Sequence, residues 1–221
     1  MVAIPSLAAV ATSLIVALYN SLPSQEARVY ITSRGPDGTY LGNRLVSGKN
    51  NVLIRLVGAI RMLSQGNGWI DPCAFRSGDG NQMVPQAVIT HHLGAQGSWI
   101  GLEMPMPFSS GRVYVVTDGE LEFGTTGPSA NGFCPLQEPS AFDTGMPSAH
   151  RSYGFMEFSV HGDELYVNPS LVDFVGTPLA VRLETSEGTL DAKGLPSDVV
   201  QLMCDGLHAK AMEEGSVYVE P

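Results

Sequence analysis

Two carboxylates on neighbouring segments are the residues whose type and spacing could do chemistry. Glu157 lies in the alternating run 153–160 (YGFMEFSV), which predicts a strand, and Asp173 interrupts the apolar run 171–175 (LVDFV). A lone aspartate in an apolar run is costly to bury unless it is paired or used. Glu157 and Asp173 could therefore flank one cleft. Glycoside hydrolysis needs such a pair, because one carboxyl group protonates the leaving oxygen while the other acts from the opposite side.

Strand parity puts Glu157 on the face opposite to the predicted core. Alternate side chains of a strand share a face, so Glu157 shares its face with Tyr153, Phe155 and Ser159. The other face of the run is apolar and predicts core, which leaves Glu157 facing a cleft or solvent. The alternative is an ordinary exposed Glu157, with Asp173 capping a turn. Exposed strand glutamates are common, so the pattern alone favours this alternative.

Other residues with chemical potential give weaker signals. His91 and His92 would point to opposite faces of a strand, so they predict no shared metal site. Trp69 lies in the glycine-rich run 65–80, a predicted loop, and could either stack on a sugar ring or simply pack. Trp99 lies in a predicted strand, which favours the core. The serines show no G-x-S-x-G motif, so a serine-hydrolase triad has no support.

Composition and charge exclude some functions. The 221 residues include 12 basic and 22 acidic side chains, for a net charge of −10 at pH 7. This balance argues against a nucleic-acid groove, because phosphate contacts need clustered Lys and Arg, but leaves neutral partners such as glycans open. Hydrophobic residues make up 43% of the chain, enough for a buried core. The 25 glycines and 15 prolines favour a turn-rich β protein over a helix bundle.

The N-terminus and the cysteines constrain the class further. Residues 3–18 are uncharged and mostly apolar, but no basic residue follows Met1 and no cleavage site is evident, so a signal peptide is not predicted. The run is also too short for a membrane span. The three cysteines are odd in number and widely spaced, which favours three buried thiols, although a Cys73–Cys134 disulfide is possible; the third is Cys204.

Most of the chain reads as strands, with one helix near the end. The predicted strands are 14–19, 27–32, 86–91, 98–102, 111–117, 120–123, 153–160, 164–168 and 179–185. Residues 51–60 fit a strand or a short helix, and 124–148 read as a long surface connection. Apolar residues at helical spacing predict a helix over 198–212, with Ser197 as N-cap and Gly215 as the stop.

Several of these segments also match the motifs of one family. The runs YGFMEFS at 153–159, LYVN at 165–168 and LVDFVG at 171–176 follow the order W-G-F-x-E-F-T, then L-W-A-N-x-S-x-V-D-F-V. On these motifs the chain resembles glycoside hydrolase family 64, the thaumatin-like β-1,3-glucanases of bacteria and fungi. Weaker similarities are GRVY at 111–114, Gly-Pro at 127–128, EPS at 138–140 and CDGL at 204–207. The resemblance extends over roughly residues 14 to 213 and is most specific at 153–176.

The resemblance implies a site and a mechanism. Glu157 falls on the family's catalytic acid and Asp173 on its general base, 16 residues apart as in the family. The family inverts the anomeric carbon, a mechanism that needs carboxyl groups roughly 6.5–9.5 Å apart to admit a water. No metal or cofactor is implied. The predicted substrate-binding residues are Tyr153, Phe155, Tyr166 and Asn168 in the matched motifs, and Trp69 from its place in the glycine-rich loop.

The resemblance also implies a mainly β fold, a thaumatin-like β-sandwich or barrel with the start of an α/β segment at its C-terminus. The expected organisation is an N-terminal extension over 1–13 that could be removed by processing, then a β domain over 14–190. The start of a shortened α/β domain follows over 191–221. Tyr153 stands where the family usually has Trp, and Ser159 where it has Thr. The chain stops soon after its helix, so most of the second wall of the family's groove is expected to be missing.

The expected partner is a β-1,3-glucan polysaccharide, with no nucleic acid and no membrane, bound by a monomer. The family is commonly secreted to act on cell walls, which implies an extracellular or cell-wall location. Two alternatives to hydrolysis stay open because of the short chain. The first is a non-catalytic glucan-binding thaumatin-like protein or an inactive fragment of the enzyme. The second is a structural or interaction fragment without glycan affinity.

Overall fold

The computed structural model describes eleven stretches of the chain: residues 2–4, 13–22, 26–34, 44–46, 69–70, 72–75, 81–105, 109–127, 134–161, 164–185 and 188–215. The segment 51–60, for which the sequence left strand or helix open, lies outside these residues.

Strands dominate the described residues, which confirms the mainly β fold. The strands are β1 (Val2–Ile4), β2 (Ser13–Tyr19), β3 (Ala27–Arg34), β4 (Arg44–Val46), β5 (Trp69–Ile70), β6 (Gln82–Met83), β7 (His91–Gly94), β8 (Trp99–Pro105), β9 (Ser109–Val116), β10 (Gly124–Thr125), β11 (Leu136–Gln137), β12 (Tyr153–His161), β13 (Glu164–Ser170), β14 (Val181–Thr185) and β15 (Gly188–Ala192). The helices are α1 (Gln86–Ile89) and α2 (Val199–Glu214), with 3₁₀ turns at Pro72–Phe75 and Pro147–His150.

One antiparallel sheet organises the described structure. Its strand order is β1-β13-β12-β9-β3-β4-β5, and β7 also pairs with β3. Three smaller sheets surround it, formed by β2 with β8, by β11, β10 and β6, and by β14 with β15. The central strands β3, β9, β12 and β13 are all antiparallel, so residues opposite one another form rows across the sheet.

The first face of the central sheet carries an aliphatic core. Val29, Ile31, Val113 and Phe158 alternate with polar or aromatic residues along their strands and are buried together. Apolar side chains of β2, β8 and β14 cover them, including Leu18 and Leu102. The β2–β8 ribbon therefore forms a second layer. Burial of such side chains stabilises a fold by about 1.5–3 kcal/mol each. The predicted core face of β12 is therefore confirmed.

The second face carries an aromatic core, which the strand pattern did not predict. Tyr30, Tyr114, Tyr153 and Phe155 are all buried there, together with Phe123 from the loop after β9. The ring centroids of Tyr114 and Phe155 are 5.3 Å apart, and those of Tyr114 and Phe123 are 5.5 Å apart. The prediction that this whole face of β12 meets a cleft or solvent was wrong for its first half, because a sheet covered on both faces buries both side-chain sets.

Three local predictions differ from the structure. Residues 120–123 were predicted as a strand but lie in the loop after β9. Residues Gln86–Ile89 form a helical turn where a strand was predicted. The Gln86 side chain accepts a bond from Tyr30 (2.9 Å) and donates one to the carbonyl oxygen of Leu121 (2.7 Å), a tertiary anchor that periodicity does not report. Trp99 is 69% exposed, so its predicted core position was wrong. It points away from the side of β8 that buries Leu102.

The C-terminal helix forms close to where helical spacing predicted it. Its N-cap is Asp198, one residue after the predicted Ser197, and Gly215 ends it in the left-handed conformation with φ 65°. Val199 and Ala211 are buried. Several apolar side chains of the helix remain exposed: Val200, Leu202, Met203, Leu207 and Met212. Among the described helices, none has the length and apolar character needed to cross a membrane.

A disulfide joins two segments that are far apart in sequence. Cys73 and Cys134 are bonded, with their Cα atoms 5.2 Å apart and a sequence separation of 61. Cys204 is free and lies on the exposed surface of α2. The preferred expectation of three buried thiols was therefore wrong. Sequence spacing could not show the pairing, because the two cysteines meet only through the tertiary fold.

Candidate functional site

A polar row crosses the second face of the central sheet. In strand register, Thr32 of β3 lies opposite Arg112 of β9, Arg112 opposite Glu157 of β12, and Glu157 opposite Asn168 of β13. The adjacent row on the same face holds the buried aromatic residues of β3, β9 and β12. The buried core therefore gives way to charged groups within one alternation of the strands, and Glu157 lies at this boundary.

Arg112 binds Glu157 across the two strands. Its Nε donates to Oε1 of Glu157 at 3.1 Å, and its Nη2 lies 3.0 Å from the same oxygen. The Arg112 and Glu157 side chains are 34% and 40% exposed, so the pair lies at the surface of the sheet rather than within the core. The two residues face each other because they occupy directly opposed positions of an antiparallel ladder.

A second carboxylate, Glu138, holds the other end of the same guanidinium. Nη1 of Arg112 donates to Oε2 of Glu138 at 3.0 Å. Oε1 of Glu138 accepts bonds from the hydroxyl groups of Thr32 and Tyr114, both at 3.0 Å. Burial raises the pKa of Tyr114, and the charge of Glu138 raises it further. Burial by itself would lower the pKa of Arg112, but Tyr114, Glu138 and Glu157 outweigh it and raise the pKa.

An aromatic ring supports the guanidinium from the side of the core. Cζ of Arg112 lies 5.0 Å from the centroid of the Phe155 ring, the distance of a cation–π contact. Phe155 is only 6% exposed and packs on Tyr114. Arg112 is thus held by two carboxylates and by a ring that is itself fixed in the aromatic core.

The second predicted carboxylate, Asp173, lies on a loop that packs over the same face. The Phe174 ring lies 4.8 Å from that of Tyr153 and 6.1 Å from that of Phe155, both on the Glu157 face of β12. Burial raises the pKa of Tyr153 to about 12, and the nearby charge of Asp173 contributes. Asp173 itself is exposed, as are Leu171 and Val172. This apolar run is therefore a surface loop, in which Asp173 avoids the cost of burial; its catalytic role stays a prediction.

Two glycines allow this loop to lie directly against β12. A Cβ atom at Gly154 would collide with the carbonyl oxygen of Thr177, and one at Gly176 with the carbonyl oxygen of Tyr153. The backbone N–H of Thr177 donates to that Tyr153 oxygen at 3.1 Å. The approach of two backbones, rather than an unusual φ, therefore requires glycine at both positions and fixes the loop that carries Asp173.

We predict that Gly154→Ala lowers the free energy of unfolding by about 1–3 kcal/mol, because neither backbone can yield without breaking the packing. The matched control is Gly206→Ala in α2, where an added Cβ meets nothing within 4 Å. Alanine in a helix should leave the control as stable as the wild type or more so. Urea unfolding measures both variants. Equal stability of Gly154→Ala and the control would contradict the close approach of the loop.

The raised pKa of Tyr153 predicts a specific loss of stability at high pH. The folded protein keeps the phenol proton up to about pH 12, whereas the unfolded chain releases it near 10.0. The stabilisation is therefore complete below pH 10 and is lost as the pH rises towards 12. Between pH 8 and pH 11.5, the free energy of unfolding should therefore fall by about 2 kcal/mol less in Tyr153→Phe than in the wild type, as measured by urea unfolding. An identical pH dependence in the variant would contradict this burial of the phenol.

The structure places the other predicted substrate-binding residues differently. Tyr153 and Phe155 are 2% and 6% exposed, so their rings contact other aromatic residues rather than an open groove. Asn168 lies half-buried beside Glu157 in the polar row, and Tyr166 lies half-buried opposite Ser159 on the neighbouring strand. The backbone of Trp69 forms a short strand paired with β4, within the predicted loop. Substrate binding by these residues stays a prediction.

Arg112 and Glu138 are site residues to which sequence reasoning gave no role. Both lie in motifs recognised in the sequence, GRVY at 111–114 and EPS at 138–140. The available signal was parity, because Arg112 shares its face of β9 with Tyr114 and is the charged residue of that strand. Within the part of the chain that the structure describes, no group of three or more His, Cys, Asp or Glu residues could hold a metal ion.

Comparison with known proteins adds the family. The sequence model described as beta-1,3-glucanase, of glycoside hydrolase family 64, matches residues 12–220. No curated protein sequence matches the chain significantly. A solved laminaripentaose-producing β-1,3-glucanase in complex with laminaritetraose aligns with a TM-score of 0.60 and 18% identity, over 86% of this chain and 44% of that one.

Two further structures show the same fold. A β-1,3-glucanase domain from Clostridium beijerinckii aligns with a TM-score of 0.54 and 15% identity, over 86% of this chain and 48% of that one. A laminaripentaose-producing β-1,3-glucanase from Paenibacillus barengoltzii, complexed with laminarihexaose, aligns with a TM-score of 0.51 and 17% identity, over 82% of this chain and 39% of that one. This chain thus spans less than half the length of these structures.

The antiparallel sheet and the smaller sheets packed on it give this chain the same fold as these solved structures. The match over nearly the whole sequence is more specific. The chain belongs to glycoside hydrolase family 64.

Proposed function

We propose that this chain hydrolyses β-1,3-glucan with inversion, using Glu157 as the general acid and Asp173 as the general base. One observation carries the assignment. Glu157 is 40% exposed at the end of the aromatic core, and the loop bearing the exposed Asp173 packs over the same face of the sheet. Two solvent-accessible carboxylates on one face are the minimum that the inverting mechanism requires.

The proposed reaction balances with these two groups alone. The carboxyl group of Glu157 gives its proton to the glycosidic oxygen as the bond from that oxygen to the anomeric carbon breaks. Asp173 removes a proton from a water molecule, whose oxygen attacks the opposite side of the anomeric carbon. A new reducing end and a new hydroxyl end result. Each carboxyl group then exchanges its proton with solvent to regain its starting state.

Family membership supports β-1,3-glucan as the substrate class, and two of the three solved structures named above are complexes with laminari-oligosaccharides. The net charge of −10 is compatible with a neutral polysaccharide and unfavourable for polyanions. We also propose an extracellular or cell-wall location and a monomeric state. The Cys73–Cys134 disulfide supports the location, since such bonds persist in oxidising compartments.

A second candidate function is glucan binding without cleavage. It is favoured by the polar row, because Glu157 and Asn168 are partly accessible groups that can hydrogen-bond sugar hydroxyl groups without any proton transfer.

The test compares cleavage and binding on the same material. Purified protein is incubated with insoluble β-1,3-glucan, and soluble products and bound protein are measured together, with cellulose as the β-1,4 control. We expect laminari-oligosaccharides from the β-1,3-glucan and none from cellulose. Saturable binding without products would support the second candidate. If the protein neither binds the glucan nor releases products, both candidate functions are rejected.

A further inference from the structure

The arginine between the two glutamates has a geometry that goes beyond an ordinary surface ion pair. All three nitrogens of the Arg112 guanidinium are engaged, Nε and Nη2 by Glu157 and Nη1 by Glu138. The contacts to Glu157 both fall on Oε1. Arg112 thus fixes one oxygen of the carboxyl group without engaging Oε2.

The other side of the guanidinium is anchored in a rigid environment. Glu138 is 18% exposed and receives three bonds, from Arg112, Tyr114 and Thr32. Tyr114 and Thr32 are each 1% exposed, on the two central strands β9 and β3. The position of Arg112 is therefore determined by groups that cannot reorient, and it transmits that rigidity to Glu157, whose side chain is the most exposed of the set.

We propose that Arg112, anchored by Glu138, is a positioning residue that holds Oε1 of Glu157 and directs Oε2 towards the glycosidic oxygen; this rests on the function proposed above. A protonated carboxyl group keeps an acceptor oxygen besides its O–H donor. Oε1 can therefore accept from Arg112 whether or not Oε2 carries the proton. The pair orients the acid throughout the reaction, and Glu138 acts on catalysis only through Arg112.

The kinetic test separates positioning from substrate binding and from folding. Arg112→Lys replaces three nitrogens that contact two carboxylates with one compact charge, which cannot hold Glu157 and Glu138 in the same geometry. We therefore expect kcat on laminarihexaose to fall about 100-fold. Glu138→Gln should lower kcat about 10-fold, with KM within about threefold for both variants. The control is Arg182→Ala, which removes an arginine paired with Glu184 and Asp191 on the β14–β15 hairpin and should leave kcat unchanged.

Chemical rescue distinguishes a positioning role from a structural one. Arg112→Ala leaves a space of guanidinium shape beside Phe155, so added methylguanidinium should restore kcat at least about tenfold. The same additive should not change Arg182→Ala or the wild type. A rise in KM at unchanged kcat in Arg112→Lys would overturn the proposal, as would loss of kcat without rescue in an Arg112→Ala variant that unfolds like the wild type.

A measurement without turnover keeps the positioning role distinguishable from the proposed function. The Nε–H resonance of Arg112 in the free protein reports its bond to Glu157. We expect it to shift in Glu157→Gln and in Glu138→Gln, and to stay in place in Arg182→Ala. If the wild type releases no product but the two glutamine variants show these shifts, the proposed hydrolysis is rejected. The positioning of the Glu157 carboxyl group by Arg112 would still stand. Resonances unmoved by both glutamine variants would overturn the positioning role, whatever the activity.

Discussion

Glu157→Gln is expected to lower kcat on laminarihexaose about 10³-fold or more, because an amide cannot give a proton to the leaving oxygen. The amide keeps the size of the side chain, and its oxygen can still accept a bond from Arg112, so the fold should not change. Kinetics on the purified variant, with unfolding curves for both proteins, measure the effect. Glu184→Gln is the matched control, since Glu184 is 72% exposed on the β14–β15 hairpin and should be dispensable.

The leaving group separates the acid role from other causes of inactivity. A dinitrophenolate leaves without protonation, so Glu157→Gln should keep most of its activity on a dinitrophenyl β-laminaribioside, within about 10-fold of the wild type. Asp173→Asn should be impaired on both substrates, because the attacking water still needs a base. Equal losses of Glu157→Gln on glucan and on the activated substrate would show that Glu157 is not the acid.

Removal of the Cys73–Cys134 disulfide is expected to give the largest loss of stability. The bond closes a separation of 61 residues, and loop-closure entropy predicts a loss of about 4 kcal/mol in the free energy of unfolding. For a chain of this size the melting temperature should fall by about 8–16 °C in the Cys73→Ser, Cys134→Ser double variant. Differential scanning calorimetry measures this directly. Cys134 is also buried, so serine there adds a desolvated hydroxyl group.

The chain supplies its own control for this effect. Cys204 is an exposed free thiol on α2, so Cys204→Ser should change the free energy of unfolding by less than about 0.5 kcal/mol. Thiol titration of the denatured, unreduced wild type should find one reactive cysteine. A count of three, or a double variant that melts with the wild type, would contradict the disulfide and the secreted location that it supports.

Sequence patterns predicted the parts of the fold that depend on local alternation and on chain ends. The apolar set of β12 lies in the core because strand geometry alone decides which side chains share a face. The end of α2 at Gly215 followed from the backbone freedom of glycine. The strands around Glu157 formed where they were predicted, so its face of the sheet was also correct.

The remaining features depend on contacts that no local pattern contains. The burial of Tyr153 and Phe155 follows from a second layer to which α1 and the loop after β9 contribute, and both of these segments were predicted as strands. The Arg112–Glu138 pair joins β9 to a segment 26 residues further along the chain. Trp99 is exposed because the aliphatic core covers only one side of its ribbon. Each case is decided by which elements come to lie over the central sheet.

The configuration of the first product tests the central claim most directly. Proton NMR during the hydrolysis of laminarihexaose by the wild type resolves the α and β signals of the newly formed reducing end. Attack of a water molecule activated by Asp173, with Glu157 protonating the leaving oxygen, predicts that the α signal appears first and that the β signal grows only by mutarotation. A β signal from the first spectra would contradict the inverting pair, and an unchanged hexasaccharide would contradict hydrolysis itself.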